Sequence, residues 1–391
     1  MTAGPRSLYV HVPFCAKRCH YCDFSVARTH SPPIEAFIEA VAVDLDDWFT
    51  RRGWDDRLEV DTVFVGGGTP SLLGADGMRA LAERLAGRFR WDPRSVEWTA
   101  EANPNSLPGD VCAAWRELGI NRLSLGVQSF QDEPLEWLGR LHDAAEAIAA
   151  VGRARATGFE RVNIDLIFGL PDSVPRDWAA DVARAVDLGV THVSAYGLTA
   201  EPRTPLGRRV DMGRVRMPDD ERYGDEYLDV SRALRDAGFD HYEVSNFARP
   251  GHASRHNWHY WDGSEYLGVG PSAHSYLGGE RIWNVYRWDR YRRAAEAGAS
   301  LREGRERPEP AERRLERVWL GLRTSDGVPW EDVGSAGREP RIEAWRAEGW
   351  LAPDPDRLRL TPEGWLRLDA IAAEVAGWSN EGTNRTRRST A

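Results

Sequence analysis

Short apolar segments alternate with longer amphipathic segments through the first 200 residues of the chain. Val, Ile, Leu and aromatic residues dominate the apolar segments, as they do in parallel strands that are buried on both faces. The intervening segments have helical periodicity, which places Ile34, Phe37, Val41, Leu45 and Trp48 on one helix face. The predicted strands are LYVHVPF (8–14), DTVFVGGG (61–68), VEWTAEANP (96–104), RLSLGVQS (122–129), RVNIDLIFG (161–169) and HVSAYGLT (192–199). Six β–α units in succession predict a parallel sheet, either doubly wound or curled into a barrel.

Every predicted strand ends in polar or glycine-rich sequence. The ends carry the cysteines after residue 14 and then GGGTPS, EANPNS, GVQSF, NIDLIFGLP and YGLTAEP. In a barrel these ends meet on one face, which carries the active site. An open sheet concentrates its chemistry at a switch point instead. We therefore expect an α/β fold with a partial (β/α)6 barrel.

Composition and charge restrict the classes of function. A net charge of −10 argues against a general nucleic-acid binder, since phosphate contacts need a basic surface. No apolar run is long enough to span a membrane. The first residues contain no apolar signal segment, so we expect a cytoplasmic protein.

The composition of the chain changes twice after the predicted barrel. We expect the barrel over residues 1–240 and an extension rich in aromatic residues and histidine over 241–305. Helical segments and a short hairpin around RLRLTP predict a small winged-helix-like domain over 306–378. The polar residues 379–391 are typical of a disordered tail.

Three of the four cysteines lie within eight positions, as Cys15, Cys19 and Cys22 in CxxxCxxC spacing. Three thiolates can hold three irons of a [4Fe–4S] cluster and leave the fourth iron open. The alternative is a zinc site with His11 or His20 as the fourth ligand. The remaining cysteine, in DVCAAWRELGI, is expected to be a plain buried residue.

At these residues the chain resembles the radical S-adenosylmethionine (SAM) superfamily, whose cluster motif has this spacing after the first barrel strand. The resemblance implies that the open iron binds the amino and carboxylate groups of SAM. YVHVPFCAKRCHYCDF, FVGGGTPS, GVQSF followed by GRLH, and NIDLIFGLP are similar to the oxygen-independent coproporphyrinogen oxidase branch. The family's SAM contacts map by motif onto Tyr9, Gly67, Gly68, Thr69, Glu101, Gln128, Arg140 and Asp165.

Within this branch the chain resembles the haem chaperones of the HemW type more than the oxidases. The oxidases continue the motif as CxxxCxxCxC, whereas Phe24 occupies that position here. They also carry an N-terminal arm, whereas eight residues precede Tyr9. RHNWHYW (255–261) matches the HNxxYW signature of the chaperones. A coproporphyrinogen III oxidase and a radical enzyme for another tetrapyrrole remain the alternatives.

The resemblance implies haem as a third ligand, with haem-acceptor proteins as partners and respiratory complexes as candidates among them. Haem needs an imidazole for its iron and aromatic faces for its macrocycle. His256 is the first candidate ligand, with His252, His259 and His274 as competitors. Whether SAM is cleaved cannot be predicted from these motifs, because binding and cleavage use the same ones.

Overall fold

The structure is a computed structural model that describes residues 4–334 and 338–388, with side chains described in the second range as far as residue 378. Its contacts divide the chain into two compact units. The first comprises Met1–Glu226 and Glu265–Arg307, and the second comprises Tyr227–Ser264 and Pro308–Ala391.

The described strands are β1 (Ser7–Val12), β2 (Phe14–Cys15), β3 (Ala27–Arg28), β4 (Leu58–Glu59), β5 (Thr62–Gly67), β6 (Phe89–Arg90), β7 (Glu97–Ala102), β8 (Arg122–Gln128), β9 (Arg161–Phe168), β10 (His192–Gly197), β11 (Asp240–Glu243), β12 (Asn246–Ala248), β13 (Tyr266–Val269), β14 (His274–Leu277), β15 (Glu280–Asn284), β16 (Arg302–Glu306), β17 (Val328–Pro329) and β18 (Arg357–Leu358).

The described helices are α1 (Ile34–Arg52), α2 (Gly74–Arg88), α3 (Gly109–Glu117), α4 (Asp132–Leu138), α5 (Ala144–Ala156), α6 (Trp178–Asp187), α7 (Pro205–Asp211), α8 (Asp220–Asp236), α9 (Arg255–Trp261), α10 (Trp288–Glu296), α11 (Pro310–Gly321), α12 (Trp330–Val333), α13 (Glu339–Ala347), α14 (Pro362–Trp365) and α15 (Leu368–Arg388).

The six predicted strands are confirmed as parallel neighbours in the first unit. They lie in the order β10-β9-β8-β7-β5-β1, which follows the chain without a reversal. Each neighbouring pair is parallel. Because the order never reverses, the sheet has no switch point, and all six carboxyl ends lie along one edge. This arrangement confirms the expected partial barrel rather than a doubly wound sheet.

Four further strands continue this sheet beyond β1. β13 pairs with β1 in parallel, and β14, β15 and β16 follow as antiparallel neighbours. Residues 265–307 therefore belong to the first unit by their hydrogen bonds. A buried carboxylate fastens them to α1, because Asp44 accepts hydrogen bonds from the Gly270 N–H, the Asn284 amide and the Tyr291 hydroxyl at 2.7–2.9 Å.

Helix α1 forms where the periodicity predicts it. Phe37, Val41 and Leu45 on its inner face are 1% exposed or less. The helix ends at Gly53, whose φ of 62° is the left-handed conformation that closes many helices. Local pattern and packing therefore agree in this part of the chain.

The second unit combines helices with short antiparallel strands. β11 pairs with β12, and β17 pairs with β18. An isolated bridge joins Leu351 to Leu360. These elements confirm a small helical C-terminal domain with a short hairpin, as the sequence predicts. The four-part division of the chain stays a prediction.

Helix α15 is described as far as Arg388, so it contains most of the segment expected to be a disordered tail. Residues 389–391 and the side chains from 379 onward lie outside the described part of the chain. Among the described helices, none combines the length and the apolar character that a bilayer crossing requires.

Candidate cofactor site

The cysteine loop, residues 15–22, leaves the sheet at the carboxyl end of β1. Phe14 is fully buried against Phe37 and Trp288, which fixes the start of the loop. β2 pairs in parallel with β3, so the chain after the loop lies beside residues 14 and 15 again. Cys15, Cys19 and Cys22 are all partly exposed, whereas Cys112 is buried on α3. The structure therefore separates the three clustered thiols from the fourth.

The surroundings of the loop disfavour ionisation of Cys15 and Cys22 when no metal is bound. Burial raises the pKa of Cys15 to about 11, and the neighbouring charges of Cys22 and Cys19 add to this shift. Burial also raises the pKa of Cys22. Because iron binds thiolates, loading the site releases protons.

The glycine run after β5 lies directly against this loop. The Gly67 N–H donates to the Glu101 carboxylate at 2.9 Å, and its φ of 109° is one that L side chains rarely adopt. A Cβ at Gly68 would lie 2.6 Å from the Phe14 carbonyl oxygen and 3.1 Å from the Cys15 sulfur. Thr69 follows, with its hydroxyl 3.4 Å from the same sulfur. Only glycine allows this close approach of two backbones.

Arg140 connects the cysteine loop to the ends of β7 and β8. Its guanidinium donates to the Cys19 sulfur at 3.7 Å, to the Gly126 carbonyl at 2.8 Å and to the Asn103 side chain. The Asn103 amide donates in turn to Thr69 at 3.0 Å. The Arg140 Nε is buried without a hydrogen-bond partner in the described chain, which leaves one cationic donor for a ligand.

Two carboxyl groups share the interior of the same strand ends. Burial raises the pKa of Glu101 to about 8, with the charge of Asp165 as the second cause. Burial also raises the pKa of Asp165, which accepts a hydrogen bond from Asn163 at 2.9 Å. Two like-charged acids in one recess suit a cationic or hydroxyl-bearing ligand, because such a ligand relieves their repulsion.

Gln128 ends β8 in a strained conformation, with φ at 71°. The two residues after it are held by one buried carboxylate on α6. Asp181 accepts from the Ser129 hydroxyl at 2.8 Å and from the Phe130 N–H at 2.7 Å. Asp181 also pairs with the buried Arg176 at 3.4 Å. The conformation of Gln128 therefore depends on α6.

Two residues that support the site, Asn103 and Asp181, are not evident from the sequence pattern. Asn103 lies in the quoted EANPNS, but only the structure shows that it bridges Thr69 and Arg140. The sequence gives a weak indication that Asp181 is buried, because it falls on the apolar face of α6 with Trp178, Val182 and Ala185. A charged residue at such a position indicates a buried partner.

The donor set fits a [4Fe–4S] cluster better than zinc. Both ring nitrogens of His11 have hydrogen-bond partners, the Tyr9 hydroxyl and the Ser25 carbonyl, each at 3.0 Å. The His20 Nε2 lies 2.6 Å from the Trp137 carbonyl. His11 therefore has no free ring nitrogen, whereas the second ring nitrogen of His20, Nδ1, is buried without a hydrogen-bond partner among the described residues. Among the described residues, no three His, Cys, Asp or Glu side chains surround a single-ion position. A cluster needs one thiolate for each of three irons, which is a different requirement.

The site residues mapped from the sequence fall into one neighbourhood. Gly67, Thr69 and Glu101 join the cysteine loop through the contacts above. The Tyr9 hydroxyl is hydrogen-bonded to His11, which lies beside this group. The charge of Asp165 contributes to the raised pKa of Glu101. Gln128 stands at the end of β8, between the strands that carry Glu101 and Asp165.

The candidate haem ligands are divided between the two units. Helix α9 in the second unit begins at Ser254, whose hydroxyl accepts from the Asn257 N–H at 3.3 Å. His256 is 1% exposed, and its Nε2 lies 2.9 Å from the Tyr260 hydroxyl. His252 and His259 are partly exposed.

His274 lies in the first unit on β14. Its ring stacks on Trp283, with the ring centroids 6.0 Å apart. Burial of the ring and the charge of Arg281 lower the pKa of His274. A neutral imidazole of this kind can ligate iron, as a charged one cannot.

The sequence pattern of the Radical SAM superfamily matches residues 9–185, and that of the HemN C-terminal domain matches residues 309–367. A protein of Mycobacterium tuberculosis named haem chaperone HemW is 40% identical over 96% of both chains. The Escherichia coli protein of the same name is 33% identical over 94% of this chain and 97% of its own. Coproporphyrinogen III oxidase (HemN) from E. coli, a solved structure, has a TM-score of 0.79 at 22% identity over 96% of this chain and 90% of its own. That likeness shows a shared fold.

Proposed function

The chain belongs to the HemW family within the radical SAM superfamily, and from this premise we propose that it binds haem and transfers it to acceptor proteins. The observation that carries the proposal is the likeness to proteins named haem chaperone HemW over nearly the whole length of both chains. The superfamily implies a [4Fe–4S] cluster and SAM as cofactors.

Cys15, Cys19 and Cys22 would hold the cluster. When bound, the cluster and SAM supply one-electron chemistry and a polar ligand at the open iron. Arg140 would orient the SAM carboxylate through its free Nε–H, because an arginine fork suits carboxylate geometry. Glu101 and Asp165 would accept hydrogen bonds from ribose hydroxyls, and Gly67 and Gly68 would leave room for the methionine backbone. Tyr9, Thr69 and Gln128 would complete the contacts.

Phe24 supports the chaperone against the oxidase. It occupies the position of the extra cysteine in the oxidase motif, and its side chain is 65% exposed. A phenyl ring cannot ligate iron, and this one packs into no core. We therefore propose that the chain lacks coproporphyrinogen III oxidase activity.

The assay that separates the two functions uses anaerobic, cluster-loaded protein with coproporphyrinogen III, SAM and a reductant. We expect no protoporphyrinogen IX. Appreciable product would overturn the chaperone proposal in favour of the oxidase.

His256 is proposed as the axial haem ligand, and its burial adds a condition. Its Nε2 must leave the Tyr260 hydroxyl before it can bind iron. We expect His256→Ala to abolish the Soret shift on haemin addition, while the partly exposed neighbour His259→Ala retains it. Tyr260→Phe removes the competing hydroxyl and should tighten haem binding. If His256→Ala binds haem as the wild type does, the ligand is another histidine.

A further inference from the structure

Residues 203–216, which we call the arginine segment, carry an unusual charge for this acidic chain. The segment holds five arginines, against Asp211 as the one acidic residue. All five are exposed, and within the described residues none forms an ion pair. Many other surface arginines do pair with acids, for example Arg84 with Glu39 at 2.8 Å. The arginines are Arg203, Arg208, Arg209, Arg214 and Arg216.

The arginine segment is fixed beside the cysteine loop. Leu206 and Val215 belong to the buried cluster that also contains Leu138 and Leu170. The Leu206 N–H donates to the His20 carbonyl at 2.9 Å. Such anchoring keeps the exposed guanidinium groups in place, so less side-chain and backbone freedom is lost when a partner binds.

The basic charge continues onto the cysteine loop itself. Lys17 is exposed on the cysteine loop, three residues before His20, whose carbonyl accepts the hydrogen bond from the arginine segment. Lys17 and Leu141, which is 50% exposed, line the cleft that also contains Cys19, Thr69 and Arg140, so this basic charge borders the proposed cofactor site.

We propose that the arginine segment and Lys17 form the docking surface for an acidic one-electron carrier protein that reduces the cluster. This inference rests on the proposed cluster at Cys15, Cys19 and Cys22. Electron carriers bind through small, weak interfaces, and opposite charge raises their association rate. The step is balanced: the carrier loses one electron, the cluster gains it, and no bond or proton changes at the arginines.

A membrane surface fits the arginine segment less well. Helix α7 directs Leu206 and Gly207 into the core, and Met212 is the one large apolar side chain of the segment that is strongly exposed. Binding in a lipid interface needs a broader apolar face. Nucleic acid is disfavoured by the net charge of −10.

The test measures binding of an oxidised plant-type [2Fe–2S] ferredoxin, as the acidic probe, to the full-length cluster-loaded protein at low salt. The variant is Arg203→Glu/Arg208→Glu/Arg209→Glu. The control is Arg94→Glu/Arg184→Glu/Arg235→Glu, which changes the net charge equally at exposed arginines outside the segment. We expect Kd to rise about tenfold or more in the segment variant and less than about threefold in the control. Added salt should weaken wild-type binding.

Reduced ferredoxin should also bleach the cluster absorbance more slowly in the segment variant, with dithionite reduction unchanged. Equal loss of ferredoxin binding in both variants would overturn the proposal, since only net charge would then matter. Loss of binding to phosphatidylserine vesicles with ferredoxin binding retained would overturn it in favour of a membrane. Haemin titration of the same proteins reports on the chaperone function independently, so the two proposals fail separately.

Discussion

The cysteine loop and helix α9 each place a motif within a few consecutive residues, but they present its side chains differently. In the loop, all three sulfurs are partly exposed beside Thr69 and Arg140. In the helix, His256 is buried and bonded to Tyr260, four positions later on the same helix face. The loop cysteines are accessible as they stand, whereas His256 would first have to lose its partner Tyr260 before it could bind haem iron. Spacing alone therefore does not indicate whether the side chains of a motif are accessible.

The largest expected effect is the loss of the cluster when one cysteine of the loop is removed. Cys19→Ala removes one of three ligands and should abolish the cluster, whereas Cys112→Ala should keep full iron content. Cys112 lies buried on α3, so its loss should cost only about 1 kcal/mol of stability. Iron and sulfide analysis after reconstitution measures the first effect, and denaturant unfolding measures the second. A cluster of normal content in Cys19→Ala would refute the ligand assignment.

The next effect concerns the support behind the site. Asp181→Asn leaves Arg176, whose side chain is 2% exposed, with Glu226 at 3.8 Å as its remaining acid. Breaking a buried pair usually costs 3–5 kcal/mol, and because Glu226 remains we expect about 3 kcal/mol. SAM affinity should also fall, because the amide offers only one acceptor oxygen to the two residues after Gln128.

Asp187→Asn is the control, since Asp187 is exposed at the end of the same helix. It should change stability by less than about 0.5 kcal/mol. If both variants unfold at the same denaturant concentration, the buried pair contributes nothing measurable.

The smallest expected effect is a pH dependence of the folded chain's stability, which arises from Glu101. The pKa of Glu101 is raised by burial from its ordinary 4.5 to about 8 in the folded chain. Between these values the folded state binds more protons than the unfolded state, so stability without SAM falls as pH rises. Glu101→Gln should therefore be more stable than the wild type at pH 6, by about 2 kcal/mol, and about equal to it near pH 4.5.

Glu243 in the second unit, whose pKa burial raises to about 7, gives a slope of the same sign in both proteins. The difference between variant and wild type therefore isolates Glu101. A difference that does not change between pH 4.5 and 8 would show that Glu101 is ionised throughout this range. Bound SAM should reduce the slope, because its sulfonium charge favours the ionised carboxylate.

Much of the fold could be predicted from local pattern. The six strands, helix α1 and the convergence of strand ends all follow from periodicity and the residues after each strand. The proximity of Cys15, Cys19 and Cys22 also follows from spacing, because a short loop keeps its sulfurs close in any fold.

Contacts between distant segments could not be predicted in this way. Asp44 holds residues 226 to 258 positions away, and Asp181 holds residues about 50 positions away. The association of residues 265–307 with the first unit depends on pairing of β13 with β1, far along the chain. The burial of His256 depends on packing within the second unit, of which the HNxxYW pattern carries no signal.

Haem binding by the full-length, cluster-loaded protein tests the central claim most directly. Titration with haemin should give a saturable Soret shift that ends near one haem per chain, and His256→Ala should lose it. Absorbance that follows free haemin, without saturation and without difference between wild type and variant, would contradict the account.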